Sequence, residues 1–163
     1  MKLEFDARGF AQARRELHAM RMRVQDVRPA WEAVLTWWAA RNVTHFRSAG
    51  KRWGTPWRPL APDTLAEKLH LGYPPSILVR SGDLRSSLTM RPLGVEQLRP
   101  HDVEAGTNVP YADFHQRGTS KMPKRQLVNA RAVQREGVVT NALINWIVAG
   151  KSSTRSRKIE KVN

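Results

Sequence analysis

In the stretch YADFHQRGTSKMPKR, residues 111–125, a histidine stands two positions after an aspartate, and a turn glycine is followed by a run of cations. His115 with Asp113 has the best claim to catalysis, because a histidine oriented by a carboxylate can act as a general base. The spacing argues against the pair. Residues two apart point to opposite faces of a strand and do not face each other on a helix. A small hydrolase using His115 is therefore a rival reading only.

Other chemistries find less support. His18, His45, His70, His101 and His115 never take the i, i+4 spacing that lets one helix present two metal ligands, and no H-E-x-x-H occurs. Without cysteine there is no thiolate ligand, disulfide or thiol nucleophile, which suits a reducing compartment or a particle assembled in one. AGKSS echoes the end of a phosphate loop, but its earlier glycine would fall at Asn145 and the segment follows a helical pattern. Ser81 lacks a G-x-S-x-G context and reads as a turn serine before Gly82. The sequon at Asn42 lies on a predicted helix with no secretion signal. No catalytic residue, cofactor or metal is expected, and the chain does not read as an enzyme.

The elements that position these residues follow from periodicity. Residues 2–5, KLEF, are a short strand candidate. Phe10, Ala13, Leu17, Met20, Val24 and Val27 recur at alternating spacings of three and four, a helical pattern, with Asp6 near its start as a cap acceptor. Pro29 opens a second helix over about residues 29–48 that sets Trp31, Val34, Leu35 and Trp38 on one face. The tryptophans are read first as core, with Trp37 about 100° round the helix from Trp38. GKRWGTPWRPLAP is broken too often by glycine and proline to be regular structure. The T-x-x-E spacing of Thr64 and Glu67 predicts a capping box and a short helix. RSSLTMRP and HDVEAGTN alternate in part and predict strands of an antiparallel meander, with GVEQL a weaker one and KRQLV one more. VQREGVVTNALINWIVAG predicts a final helix with Val139, Leu143, Ile144 and Ile147 along one side, weakened early by Gly137. The expectation is an α+β domain over residues 1–150, with N-terminal helices (1–50) and a C-terminal helix (129–150) packed on a small antiparallel sheet. A basic tail, 151–163, has too little apolar surface to fold alone, so a neighbouring chain or nucleic acid is the expected hold on it.

At 163 residues, 40% hydrophobic and 26% charged, the chain reads as one soluble globular domain. Its apolar runs fall short of the roughly 20 residues of a membrane span, and no membrane partner is expected. MKLEFDARGF has acidic residues where a signal peptide would be continuously apolar. The net charge is +14, distributed as +7 over residues 1–60 (12 basic, 5 acidic), −2 over 61–116 (5 and 7) and +9 over 117–163 (11 and 2). Such charge favours polyanions, so a basic nucleic-acid-binding protein is the main alternative. A near-neutral middle between basic flanks does not describe a single groove-reading element.

Four motifs occur in order between residues 53 and 128: W-x-x-L-x-x-x-T-x-x-x-K in WRPLAPDTLAEKL, I-L-x-x-S-G-x-L-x-x-S-L in ILVRSGDLRSSL, G-x-x-x-x-Y-A-x-x-H-Q-x-G in GTNVPYADFHQRG, and P-x-R at Pro123 to Arg125. In this order they resemble the phage virion morphogenesis and tail-completion family, which is similar to head-tail neck and tail-terminator proteins of tailed bacteriophages. The resemblance implies a structural protein without catalytic residues, forming a homo-oligomeric ring, a hexamer, at the head-proximal end of the tail. Its implied partners are the tail tube, the head-tail connector or stopper, and genomic DNA passing through the lumen unread. It also implies assembly in the host cytoplasm and residence in the virion. On this reading Trp53, Trp57 and Arg58 are interface candidates, because Trp and Arg concentrate binding energy at interfaces. Tyr111 and Phe114 are expected to anchor the 111–125 loop in the core. Gly118 would turn it, so that Arg117, Lys121, Lys124 and Arg125 face a partner, with His115 and Gln116 as polar contacts that fix the loop.

Overall fold

The computed structural model describes residues 9–156, so the strand candidate at residues 2–5 and the last seven residues of the tail lie outside the described residues. Seven helices and one antiparallel hairpin make up the described part, an α+β arrangement as expected. The two helices of the N-terminal region are α1 (Phe10–Gln25) and α2 (Arg28–Arg47). They part at Asp26, whose carboxylate accepts the Arg28 backbone N–H at 3.0 Å and also the Arg28 guanidinium. Pro29 sits in the first turn of α2, where its missing N–H costs nothing.

α2 is the centre of the fold. Its buried residues run from Ala30 to Phe46 on more than one face, the pattern of a helix covered on several sides. One face, with Leu35, Trp38, Ala39 and Phe46, packs against Leu84 and Leu88 of α4 (Asp83–Thr89) and against Leu93, Ala112 and Leu127. The other, with Ala30, Trp31 and Val34, packs against α7 (Val138–Ala149), where Ala30 and Ala142 let the two backbones approach closely. Leu98 and Val103 touch both clusters. They pair across the hairpin of β1 (Val95–Leu98) and β2 (Val103–Gly106), which places Val95 opposite Gly106. No helix among the described residues is long and apolar enough to cross a membrane.

Several sequence expectations change. The strand expected from RSSLTMRP is α4: Leu84 and Leu88, four apart, are both buried, and Ser87 and Thr89 satisfy their hydroxyls on the carbonyls of Leu84 and Arg85. The strand expected as weak, GVEQL, supplies β1. The capping box at Thr64 is not formed. α3 (Pro62–His70) starts earlier, with Pro62 in its first turn and no side-chain cap. Gly137, at φ 61°, breaks the final helical pattern into α6 (Ala130–Arg135) and α7, with Asn129 capping α6 by accepting the Ala132 N–H. Val138, Ala142 and Asn145 are the buried face of α7, while Ile144 is exposed.

The near end of the tail is held by its own chain. Asn145, buried in α7, donates to the carbonyls of Ser153 and Arg155, each at 2.8 Å, and the Ser152 hydroxyl donates to the carbonyl of Pro29. Residues 151–156 are thus tied to α7 and to the start of α2 of their own chain.

Candidate functional site

The 111–125 stretch and the tryptophan loop meet at one backbone carbonyl. Gly50 turns the chain out of α2 at φ 86°, and a Cβ there would stand 2.2 Å from the Thr55 carbonyl oxygen and 2.6 Å from the Trp57 indole. The turn drives Trp53 and Trp57 inward. His45, fully buried in α2, stacks on Trp53 with ring centroids 4.3 Å apart and meets Trp57 edge-on at 5.0 Å. Trp57 Nε1 and His45 Nε2 both point at the carbonyl oxygen of Gln126, each at 2.9 Å. A carbonyl only accepts, so the His45 proton sits on Nε2 and Nδ1 is left without a partner. Burial, outweighing the bond to Gln126, holds the His45 pKa below its ordinary value, and nearby Arg52 adds to the effect.

Residues 124–128, expected as a strand, form none, and the chain bends at Leu127. Instead of a neighbouring strand they pair with one side chain. Gln116, on α5 (Ala112–Arg117), accepts the N–H of Leu127 at 2.7 Å and of Val128 at 3.1 Å, and donates to the Val128 carbonyl at 2.9 Å. The Arg125 N–H adds a bond to the His115 carbonyl at 2.8 Å. Gly118, at φ 78°, closes the intervening loop against Lys124, whose backbone N would lie 2.9 Å from a Cβ there. Gln116 thus fixes the loop as expected, and Gly118 turns it.

Beside this loop lies a groove of about 1130 Å³ between the 58–81 segment and residues 111–125. Two of its wall cations are buried: Lys68, which donates to the carbonyls of Ser76 and Val79 at 2.7 and 2.6 Å, and Arg125, which donates to those of Arg58 and Pro59 at 3.1 and 3.3 Å. Neither meets a carboxylate among the described residues. Desolvation, with the like charge of Arg80 beside Lys68 and of Arg58 beside Arg125, lowers both pKa values. Lys68 ties α3 to the loop that follows it, and Arg125 ties its loop to the 58–59 segment, both through carbonyls.

The predicted site residues therefore divide. Trp53 and Trp57 lie in the chain's own core, and Arg125 is buried, so none of the three presents its side chain outward. Arg58, Arg117, Lys121 and Lys124 are exposed. Tyr111 and Phe114, expected as anchors, are 42% and 53% exposed, because α5 buries only Ala112. Tyr111 meets His115 edge-on at 6.0 Å on the groove wall. His115 Nδ1 is buried without a partner, and burial, with Arg125 nearby, lowers its pKa. Asp113 bonds Arg117 at 2.7 Å instead of His115, so the two residues do not form a dyad. Lys68 and Asn145 carry structural roles that no local sequence signal marked.

Neither a curated protein nor a solved structure gives a significant match to the chain. Among protein families, residues 10–146 match the phage virion morphogenesis family. The matched span runs well beyond the motifs at 53–128 and takes in α1, α2 and most of α7, hence both apolar clusters and the groove. The chain belongs to the phage virion morphogenesis family, with a structural or assembly role in the virion.

Proposed function

We propose that the chain is a ring-forming subunit at the head-proximal end of the tail of a tailed bacteriophage, where it completes the tail and joins it to the head. The observation that carries this reading is the family match over residues 10–146. The surface supports it. The one sheet of the described residues has only two strands, so both of its edges are open to a neighbour's strand. Exposed Arg58 and Lys121 line the groove and offer a polar rim for a partner, with exposed Arg117 and Lys124 on the same 111–125 stretch. A ring requires two different patches on each subunit and a rotation that closes. The tail tube and the connector or stopper are the axial partners, and DNA crosses the lumen without being read.

Native mass spectrometry and particle imaging of the purified full chain, at low and physiological salt, test the reading. The expected result is one closed multiple, a hexamer, that persists when salt is raised. A chain that is a lone monomer both in solution and in virions overturns it.

A further inference from the structure

The groove beside the 111–125 stretch joins an apolar lining to an unbalanced set of charges. Leu60, Leu78, Val79 and Met122 line it and are half-buried. Arg58, Lys68, Arg80, Lys121 and Arg125 share the lining with two carboxylates, those of Glu67 and Asp83, and none of these cations is ion-paired among the described residues. Like charges stand in pairs, Arg80 beside Lys68 and Arg58 beside Arg125. Lys68 and Arg125 are buried on backbone carbonyls, whereas Arg58, Arg80 and Lys121 are exposed. A volume of about 1130 Å³ exceeds the roughly 300–1,000 Å³ of small-molecule sites and suits a stretch of chain. The stretch that fits is apolar on one side and acidic on the other.

Residues 3–6, outside the described residues, read Leu-Glu-Phe-Asp. Alternation puts Leu3 and Phe5 on one side of an extended chain and Glu4 and Asp6 on the other. Lys2 and Arg8 lie beyond the stretch, so its four residues carry two negative charges and no positive one. Residues 157–163, also outside the described residues, hold three cations and one carboxylate and would repel the exposed arginines. α1, which follows residues 3–6, stands out from the body. Residues 10–18 are all exposed, and the helix is anchored near its C-terminal end, where Arg23 donates to the carbonyls of Ile147 and Val148. About 20 Å of helix separates that anchor from Phe10. We propose that residues 3–6 of one copy lie in the groove of the next, Leu3 and Phe5 on its apolar lining and Glu4 and Asp6 against Arg58, Arg80 and Lys121. This rests on the self-association proposed above and names the surfaces that carry it. Segment and groove are different patches of one chain, so the contact is head-to-tail and suits a ring.

The test uses the full chain. Glu4→Lys with Asp6→Lys, and separately Arg58→Glu with Lys121→Glu, each weaken self-association about tenfold or more at low salt, read by sedimentation or native mass, and the fourfold reversed chain regains it. Lys124→Glu, exposed on the same loop but outside the groove lining, leaves it unchanged. Because the chain has no cysteine, Leu3→Cys and Thr64→Cys variants can be mixed and joined with a short bis-maleimide, Thr64 being exposed on the groove. The expected product links one variant to the other and not either to itself. An oligomeric wild type that ignores either charge reversal, or a chain with both cysteines that links only within itself, overturns this contact and leaves the ring reading standing. A monomeric wild type overturns both.

Discussion

Gln116 offers the sharpest test of how the 111–128 region is held. Its amide makes three bonds to the backbone of residues 127 and 128, at 2.7, 3.1 and 2.9 Å, and Leu127 itself is 2% exposed. Gln116→Met keeps the length and most of the volume of the side chain and removes all three bonds. Each net bond is worth about 1 kcal/mol, and a buried N–H left unpaired costs about 1–3 kcal/mol. Taking the three net bonds alone, the loss is about 2–4 kcal/mol. For a chain of this size each kcal/mol moves the melting temperature by about 2–4 °C, so a drop of roughly 4–16 °C is expected. Thermal unfolding followed by circular dichroism, with urea midpoints as a second measure, reads it.

Lys124→Met is the control, since Lys124 is exposed and its side chain makes no hydrogen bond or ion pair among the described residues; its effect should stay within about 0.5 kcal/mol. A Gln116→Met melting point within about 2 °C of wild type would refute the reasoning. It would mean that Leu127 packing and the two ring donors on the Gln126 carbonyl hold the segment without the amide.

Gly50→Ala should destabilise severely, by more than about 3 kcal/mol, because a Cβ collides with the Thr55 carbonyl as well as forcing a left-handed residue. Gly54→Ala, left-handed but with open space around it, should cost only about 1–2 kcal/mol in the same urea titration. His45 and His115 have lowered pKa values in the folded chain, so unfolding takes up protons at mildly acid pH. Stability should be full above the unfolded histidine pKa of about 6.5 and fall as pH drops through it; a melting temperature flat from pH 7.5 to 5 refutes this, and His115→Gln should flatten part of the slope. Asn145→Ala should free the near tail, seen as several-fold faster tryptic cleavage after Lys151 and Arg155, while an unchanged rate would show that Asn145 does not hold it.

The helices of the N-terminal region were legible because their apolar residues repeat at three and four, and the hairpin strand at Val103 because its neighbours alternate. α4 was not. Its helical evidence is the pair Leu84 and Leu88, and a window opened at Arg85 keeps only one of them beside a run of serines and threonine. Residues 124–128 read wrongly as a strand, because a side-chain amide can present the acceptor and donor of a strand edge and leaves no periodic trace. For Trp53 and Trp57, composition alone is ambiguous between a core and an interface. What decides is the Gln126 carbonyl, about 70 residues away from both, which the Trp57 indole reaches with His45. Lys68 and Arg125 were equally opaque, since a cation that caps carbonyls looks in sequence like one that faces solvent.

The same bonds bear on the nucleic-acid alternative. A net charge of +14 becomes a grip on phosphate only where cations lie together and have nothing nearer to hold. Among the described residues, Arg52 holds Glu136, Arg91 bridges Glu32 and Glu96, Arg99 holds Asp102 and Arg117 holds Asp113, while Arg23, Lys68 and Arg125 hold backbone oxygens. Arg91 shows how firmly: its pKa is raised by hydrogen bonds to both carboxylates, and the Glu96 pKa is lowered in return. These seven of the 28 lysines and arginines are therefore engaged within the chain, four of them with carboxylates already counted in the net charge. Duplex affinity, where present, should be weak and salt-sensitive, whereas self-association through apolar contacts should survive added salt. Titrating salt from about 0.05 to 0.5 M while following both separates the two readings, and an assembly that dissolves as DNA binding does would point to charge alone as the cause.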